Sequence, residues 1–182
     1  MKKNILIFGV LSGVLSSVFM LATVPFIDNL GHGNKGALVG YTGMVLSFLL
    51  IYFGIRSYRD TNGEGQITFG RGFTIGITIT VISCLFYVVT WEIVHFRFLP
   101  HFLDGYNAQA IAKIKASGGS AAQLQAQIDS QNHFMHLYQN PFFNAAMTFV
   151  EPFPVGLIMA LISAAILRKK TPAQPAASPL TA

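Results

Sequence analysis

The chain has 182 residues, of which 10% are charged and 52% are hydrophobic, with 16 phenylalanines and a mean hydropathy of +0.52. A typical soluble domain carries about 25% charged residues. The charges are also unevenly placed, since residues 5–27, 37–55 and 73–91 contain none. This pattern excludes a disordered chain, a basic nucleic-acid-binding arm and most soluble enzymes, and it indicates a membrane protein.

Four segments are apolar enough to be membrane-spanning helices, at about residues 5–27, 37–55, 73–94 and 145–167. A helix needs about 20 such residues to cross roughly 30 Å of hydrocarbon. The fourth segment carries Glu151, Pro152 and Pro154 near its start. Counting only from Pro154 leaves about 14 residues, which is too short to span. We therefore predict that this helix begins upstream, near Asn144 or Ala145, and bends at the prolines.

The first apolar segment follows Lys2 and Lys3, so it is either a cleaved secretory signal or an uncleaved anchor. A signal has an apolar region of about 7–15 residues and a cleavage site of the Ala-x-Ala type. The segment here is longer, and residues 20–25 offer no such site. The pattern favours the uncleaved anchor.

The basic residues fall into two groups on alternate sides of the spans. The larger group is Lys2, Lys3, Arg56, Arg59, Arg71, Arg168, Lys169 and Lys170. The smaller group is Lys35, Arg97, Lys113 and Lys115. Because basic loops are retained in the cytoplasm, we expect a multi-pass membrane protein with both termini cytoplasmic. The net charge of +5 then reflects topology, and the expected partner is the lipid bilayer and not nucleic acid.

The longest polar segment, residues 96–140, predicts a helical hairpin on the extracytoplasmic side, between spans three and four. The first helix of the hairpin is expected at about residues 106–116, and the Ser-Gly-Gly of residues 117–119 would end that helix. Ser120 and Gln123 have the spacing of a capping box for a second helix, which Asn140 and Pro141 would stop. Residues 1–170 thus form a single integral membrane domain, an all-α bundle of four transmembrane helices, and the Pro/Ala-rich residues 171–182 are expected to be a disordered cytoplasmic tail.

Small residues recur along one face of each span, and such faces let helix backbones approach closely. The glycines on these faces are Gly9, Gly13, Gly36, Gly40, Gly72, Gly76 and Gly156. We interpret them as helix-packing positions within the chain. The alternative is that one stripe, such as the one from Gly9 to Ser17, forms a homo-oligomer.

The candidate binding residues are the ionisable groups near the ends of the spans, Glu92, His95 and Glu151, because burying a charge in a membrane costs about 3 kcal/mol. Glu92 lies about 28 Å along the third helix from Phe73, and Glu151 lies about 24 Å from the end of the fourth. We expect the two acids to approach each other near the outer surface, with His95 one turn above Glu92. Each acid either caps a helix end or pairs with Arg97 or a histidine; alternatively, the two acids form an outward-facing cleft for a proton or cation.

A metal site is not expected, although His95, His101, His133 and His136 share the outer segment. Zinc needs three or four converging ligands, and di-iron bundles use two Glu-x-x-His motifs where this chain has one, at residues 92–95. The sequence also lacks a Gly-x-Ser-x-Gly, a Walker loop, a dinucleotide fingerprint and a His-Glu-x-x-His. It therefore predicts no catalytic residue, no metal and no cofactor.

Several motifs distributed along the chain carry a family resemblance. They are residues 2–4 with 7–9, the Phe-Gly-Ile-Arg-Ser-Tyr-Arg-Asp of residues 53–60, and residues 67–73, 87–91 and 148–156. With these motifs the chain resembles a family of small bacterial inner-membrane proteins known only as a domain of unknown function. The resemblance covers nearly the whole chain apart from the tail. It implies a four-helix membrane protein and brings no assigned activity.

Two functions are consistent with the sequence. The first is a non-enzymatic membrane protein that binds a membrane-protein partner, or assists assembly, through its small-residue faces and outer hairpin. The second is a small oligomeric ion-coupled transporter or channel that uses Glu92 and Glu151.

Overall fold

The computed structural model describes residues 1–26, 34–99 and 101–169, and the predicted tail at residues 171–182 lies outside the described residues. In chain order the helices are α1 (Lys2–Thr23), α2 (Asn34–Asn62), α3 (Phe69–Ile93), α4 (Phe102–Ala116), α5 (Ala121–Tyr138), α6 (Pro141–Val150) and α7 (Phe153–Leu167). A short 3₁₀ turn, Val24–Phe26, follows α1, and a π-helical turn, Val94–Phe98, follows α3. We call the end of the bundle with Lys2 and Lys169 the terminal end, and the end with α4 and α5 the hairpin end.

Four helical segments are long and apolar enough to cross a membrane: Lys2–Phe26, Lys35–Asn62, Phe69–Phe98 and Pro141–Leu167. The prediction of an all-α fold with four long apolar helices is confirmed. The second and third segments extend beyond the charge-free stretches of the sequence, because helical structure continues through their flanking polar residues.

Helix α3 is the centre of the bundle and packs against α1, α2, α6 and α7. Its fully buried side chains Ile75 and Ile79 belong to the same apolar core as Ile51 and Ile55 of α2. Glycines make this close packing possible, since a Cβ added at Gly13 would lie 2.6 Å from the Phe86 ring.

The other small residues of the packing stripes also contact neighbouring helices of this chain. An added Cβ would meet Ile82 at Gly9, Ala164 at Gly72, Ala160 at Gly76 and Thr80 at Gly156. Serines reinforce these contacts: Ser12 Oγ donates to the Ser47 carbonyl at 2.9 Å, and Ser17 Oγ lies 2.7 Å from Thr90 Oγ1. Buried hydroxyls of this kind hold helices together where no water can satisfy them.

The opposite faces of the helices are apolar and exposed, as a lipid-facing surface requires. On α1 they include Leu6, Val10, Val14, Val18 and Leu21, and on α7 Ile158, Leu161, Ile162 and Ile166. A bundle with its polar contacts inside and its aliphatic side chains outside suits a hydrocarbon solvent.

The fourth span is interrupted where its two prolines lie. It begins at Pro141, whose preceding residue Asn140 caps α6 by accepting from the N–H groups of Phe142 and Phe143. Helix α6 ends at Val150 and α7 begins at Phe153. Because proline has no N–H to donate, Pro152 and Pro154 cannot complete the backbone ladder across this point.

Two backbone hydrogen bonds join the terminal ends of α3 and α7. The Lys169 N–H donates to the Ile67 carbonyl at 3.0 Å, and the Ile67 N–H donates to the Lys169 carbonyl at 3.3 Å. Beside them, the Thr68 hydroxyl caps α3 by accepting from the Arg71 N–H. The connection fixes where the third and fourth spans begin and end relative to each other.

Helices α4 and α5 form the predicted hairpin. Residues 117–119 separate them, and Ser120 and Gln123 form the predicted capping box. Asn107 of α4 donates to Asn132 of α5 at 3.1 Å. The hairpin lies at the end opposite to Lys2 and Lys169, and its extracytoplasmic location stays a prediction.

Candidate functional site

A cavity of about 470 Å³ opens at the hairpin end of the bundle. Helices α1 and α2 provide one part of its wall and α3 and α6 another, while both hairpin helices contribute side chains. The lining residues of α1 and α2 include Ser16, Phe19, Met20, Thr23, Gly36, Gly40, Tyr41 and Met44. The lining residues from the rest of the chain include Tyr87, Trp91, Phe102, Leu103, Tyr106, Phe134, Met135, Tyr138, Met147 and Glu151.

The wall formed by α3 and the hairpin is aromatic. Trp91 of α3 meets Phe102 of α4 edge-on, with ring centroids 5.6 Å apart. On α5, Phe134 and Tyr138 lie 5.8 Å apart. These rings give the cavity a large, rigid, polarisable surface.

Glu151 lies in the break between α6 and α7 and lines the cavity. Tyr87 of α3 lines the cavity with it, and its phenol lies close to the Glu151 carboxylate. In the part of the chain that the structure describes, no other carboxylate and no Lys, Arg or His lines the cavity. The fold therefore places one acid, with one phenol beside it, in an otherwise uncharged chamber.

A buried polar network behind the aromatic wall is centred on Asn144, which is fully buried. Its Oδ1 accepts from Trp91 Nε1 and from the Thr148 hydroxyl, both at 3.1 Å. Its Nδ2 donates to the Tyr138 carbonyl at 3.2 Å. The network joins α3, α5 and α6 and holds Trp91 and Tyr138 in the cavity wall.

This network was not predicted from the sequence. The local sign of it is the uncharged amide of Asn144, which lies between apolar residues at the predicted start of a span and there normally requires hydrogen-bond partners. Burial raises the pKa of the Tyr138 phenol, so this group stays neutral at physiological pH.

Of the two acids singled out from the sequence, Glu151 alone lines the cavity. Glu92 is half-buried on α3, and its Oε1 has no hydrogen-bond partner among the described residues. Glu92 and Glu151 therefore lie at the same end of the bundle, but Glu151 lines the cavity and Glu92 does not.

His95 is buried in the π-helical turn after α3. Its ring stacks on Trp91, with centroids 5.6 Å apart and an interplanar angle of 8°, and its Nδ1 has no partner within residues 1–26, 34–99 and 101–169. His95 therefore supports the back of the aromatic wall and does not face the cavity with Glu151.

Gly36 and Gly40 differ from the other glycines singled out from the sequence. They line the cavity, and a Cβ added at Gly40 would meet no atom within 4 Å. The helix-packing interpretation does not fit Gly40, because its face of α2 turns towards open space. Its small size enlarges the cavity.

The remaining histidines are dispersed. His101 lies 3.1 Å from Asp104 on the exposed start of α4, and His133 and His136 are exposed on α5. Within the described ranges, no three His, Cys, Asp or Glu side chains are grouped so that they could hold a metal ion.

Four apolar helical segments long enough to span, packed through small residues and with an aliphatic outer surface, are consistent with a multi-pass α-helical membrane protein. Within that class, the chain belongs to the family described as protein of unknown function (DUF4199), which it matches over residues 7–169. Comparison with curated proteins and comparison with solved structures each found no match. The family resemblance of the sequence motifs is confirmed, and the family description assigns no activity.

Proposed function

We propose that this membrane protein binds a small, largely apolar molecule in the cavity at the hairpin end, without catalysing a reaction. The observation that carries the proposal is the cavity itself. Ligand pockets typically enclose about 300–1,000 Å³ and combine apolar and aromatic walls with a few polar groups. The volume of about 470 Å³, the aromatic wall and the single acid Glu151 meet that description.

The network behind the wall supports a preformed site. Trp91 Nε1 donates to Asn144, and the Tyr138 hydroxyl lies 3.4 Å from Thr148 Oγ1 of the same network, so both side chains are positioned before any ligand arrives. A preorganised site loses less conformational entropy on binding than one whose side chains must be ordered by the ligand.

The partner-binding function predicted from the sequence draws less support from the glycine stripes. Gly9, Gly13 and Gly156 are occupied by contacts within this chain. A membrane-protein partner or a second copy would instead contact the hairpin or the lipid-facing sides. The mass of the purified protein in mild detergent tests this, since a stable dimer or a co-purifying protein supports it.

Ion-coupled transport is the second candidate function, and one observation favours it. Glu151 lies at an interruption of a membrane-spanning helix, and transporters often place substrate and ion sites at such interruptions. Uptake into liposomes that depends on a proton gradient and is lost on Glu151→Gln would support this function over simple binding.

We also propose a bacterial inner-membrane location with both termini in the cytoplasm. The larger group of basic residues supports this orientation, because Lys2, Arg59 and Arg71 belong to the terminal end and its connecting turn, the side that the positive-inside rule assigns to the cytoplasm.

The lone tryptophan provides a direct test of binding, because Trp91 lines the cavity. The purified protein is titrated with a neutral probe, 4-butylbenzyl alcohol, while tryptophan emission is recorded. We expect a saturable change in the wild-type protein. In Gly40→Phe the new ring would occupy the cavity, and the saturable change should disappear.

The matched control is Gly70→Phe. Gly70 also has no atom within 4 Å of an added Cβ, but it lies at the terminal end of α3, far from the cavity. We expect this variant to bind the probe as the wild-type protein does. Equal binding by Gly40→Phe and Gly70→Phe would contradict the proposal.

A further inference from the structure

We propose that the cavity is selective for an organic cation, a molecule with an apolar body and one positive charge. The inference rests on the proposed function, since it names the class of ligand that the same cavity binds. It follows from the charge, the oxygen atoms and the aromatic surface of the wall.

The charge of the wall is the first argument. Glu151 contributes a carboxylate, and no basic side chain among the described residues lines the cavity to neutralise it. A cationic ligand group would form an ion pair with this carboxylate, and the apolar walls around it would strengthen the attraction. An anionic ligand would instead add a second negative charge to the same chamber.

The oxygen atoms of the wall argue against an inorganic ion. A hard cation such as Ca²⁺ takes six to eight oxygen ligands, and Mg²⁺ demands a near-octahedral set. Glu151 supplies the one carboxylate among the described lining residues, and the other lining side-chain oxygens are the hydroxyls of Ser16, Thr23 and four tyrosines. One carboxylate in a mainly aromatic and aliphatic wall suits an organic cation, which needs few coordinating oxygens.

The aromatic residues supply the complementary surface for such a charge. Tyr87 places its phenol beside the Glu151 carboxylate, and Trp91 and Tyr138 extend the aromatic wall from there. Ring faces attract cations, and quaternary ammonium groups are commonly held between aromatic side chains. The apolar body of the ligand would contact the methionines of the wall, Met20, Met44 and Met147.

Three probes with the same apolar body and different charges test the selectivity: 4-butylbenzyl-trimethylammonium, 4-butylbenzyl alcohol and 4-butylbenzylsulfonate. Trp91 emission reports binding of each to the purified full-length protein. We expect the trimethylammonium probe to bind about tenfold more tightly than the alcohol, and the sulfonate to bind most weakly.

The variant Glu151→Gln removes the charge and keeps the shape. We expect it to weaken trimethylammonium binding about tenfold and to leave alcohol binding nearly unchanged. The matched control is Glu92→Gln, an acid at the same end of the bundle that does not line the cavity, and this variant should keep the cation preference.

The outcomes separate this inference from the proposed function. Saturable binding of all three probes with equal affinity to the wild-type protein would overturn the cation preference and leave the binding function standing. Loss of the preference in Glu92→Gln but not in Glu151→Gln would also overturn it. If none of the probes binds, the proposed function fails as well. The ranking of the three probes on the wild-type protein decides the question even if Glu151→Gln does not fold.

Discussion

At the residue scale, the contact between α7 and α3 depends on the absence of a side chain at Gly156. A Cβ built there would lie 2.3 Å from Thr80 Cγ2. Thr80 is fully buried and its hydroxyl donates to the Gly76 carbonyl at 3.0 Å, so its side chain cannot turn away from the added Cβ without losing that bond. We predict that Gly156→Ala lowers the stability by about 1–3 kcal/mol through overpacking, seen as a lower midpoint of thermal unfolding in detergent.

Gly70→Ala is the control for that prediction. This glycine is exposed on α3 and an added Cβ meets no atom within 4 Å, so the higher helix propensity of alanine should stabilise the protein by up to about 1 kcal/mol. If both substitutions shift the midpoint downward equally, the loss at Gly156 is not a packing effect.

The small-residue spacing led us to predict helix packing, but it carries no information on the partner of each glycine. Gly76 meets Ala160 and Gly156 meets Thr80 because of the register between α3 and α7, which depends on the whole bundle. Gly40 shows the limit most clearly. It has the same spacing as the packing glycines, yet it faces the cavity, and nothing in its local sequence distinguishes the two environments.

At the element scale, the hairpin depends on local signals. Ser120 accepts from the Gln123 N–H, and the Gln123 side chain accepts from the Ser120 N–H. We predict that Ser120→Ala weakens the first turn of α5 by about 1 kcal/mol, because the Gln123 N–H loses its acceptor. Hydrogen–deuterium exchange of residues 121–124 should accelerate about fivefold.

Ser130→Ala serves as the comparison for Ser120→Ala. Ser130 lies in the interior of α5 and is exposed, and alanine is the better helix former there. In Ser130→Ala, hydrogen–deuterium exchange of residues 121–124 should be as fast as in the wild-type protein or slower. Faster exchange at the start of α5 in both variants would indicate general loosening of the hairpin and not the loss of a cap.

The elements were predictable from the sequence where neighbouring residues determine them. The proline pair predicted a bend in the fourth span, where the structure has a break between α6 and α7, and the capping box correctly placed the start of α5. Asn140 was interpreted only as the end of a helix, although a capping Asn followed by proline is equally typical of a helix start. The bonds between Ile67 and Lys169 were not predictable, because they join residues that are distant in the chain.

At the scale of the whole molecule, the cavity is a consequence of how the helices diverge. No other helix packs against α2 at Gly40, where an added Cβ would meet no atom within 4 Å. On the other side of the cavity, the Asn144 network joins α3 and α6 to α5. Sequence patterns describe single helices and cannot give the space left between them. Glu151 was therefore identified as a candidate from the sequence, but the chamber that it lines was not.

The charge distribution along the chain leads to a prediction of orientation. The turn after α2 lies at the terminal end with Arg56 and Arg59, and the turn between α4 and α5 lies at the hairpin end. If basic residues face the cytoplasm, a membrane-impermeant maleimide added to intact spheroplasts should label Ser117→Cys and should not label Asn62→Cys. Both positions are exposed, so the difference reports the side of the membrane.

The natural cysteine makes this experiment self-controlled, because Cys84 is fully buried and should not react in the unaltered protein. After the membrane is opened with detergent, both introduced cysteines should react, which verifies that Asn62→Cys is accessible once the reagent reaches it. Labelling of Asn62→Cys in intact spheroplasts, with Ser117→Cys protected, would reverse the orientation. The mouth of the cavity would then face the cytoplasm, and any organic cation that it binds would have to come from there, since the cavity opens at the hairpin end.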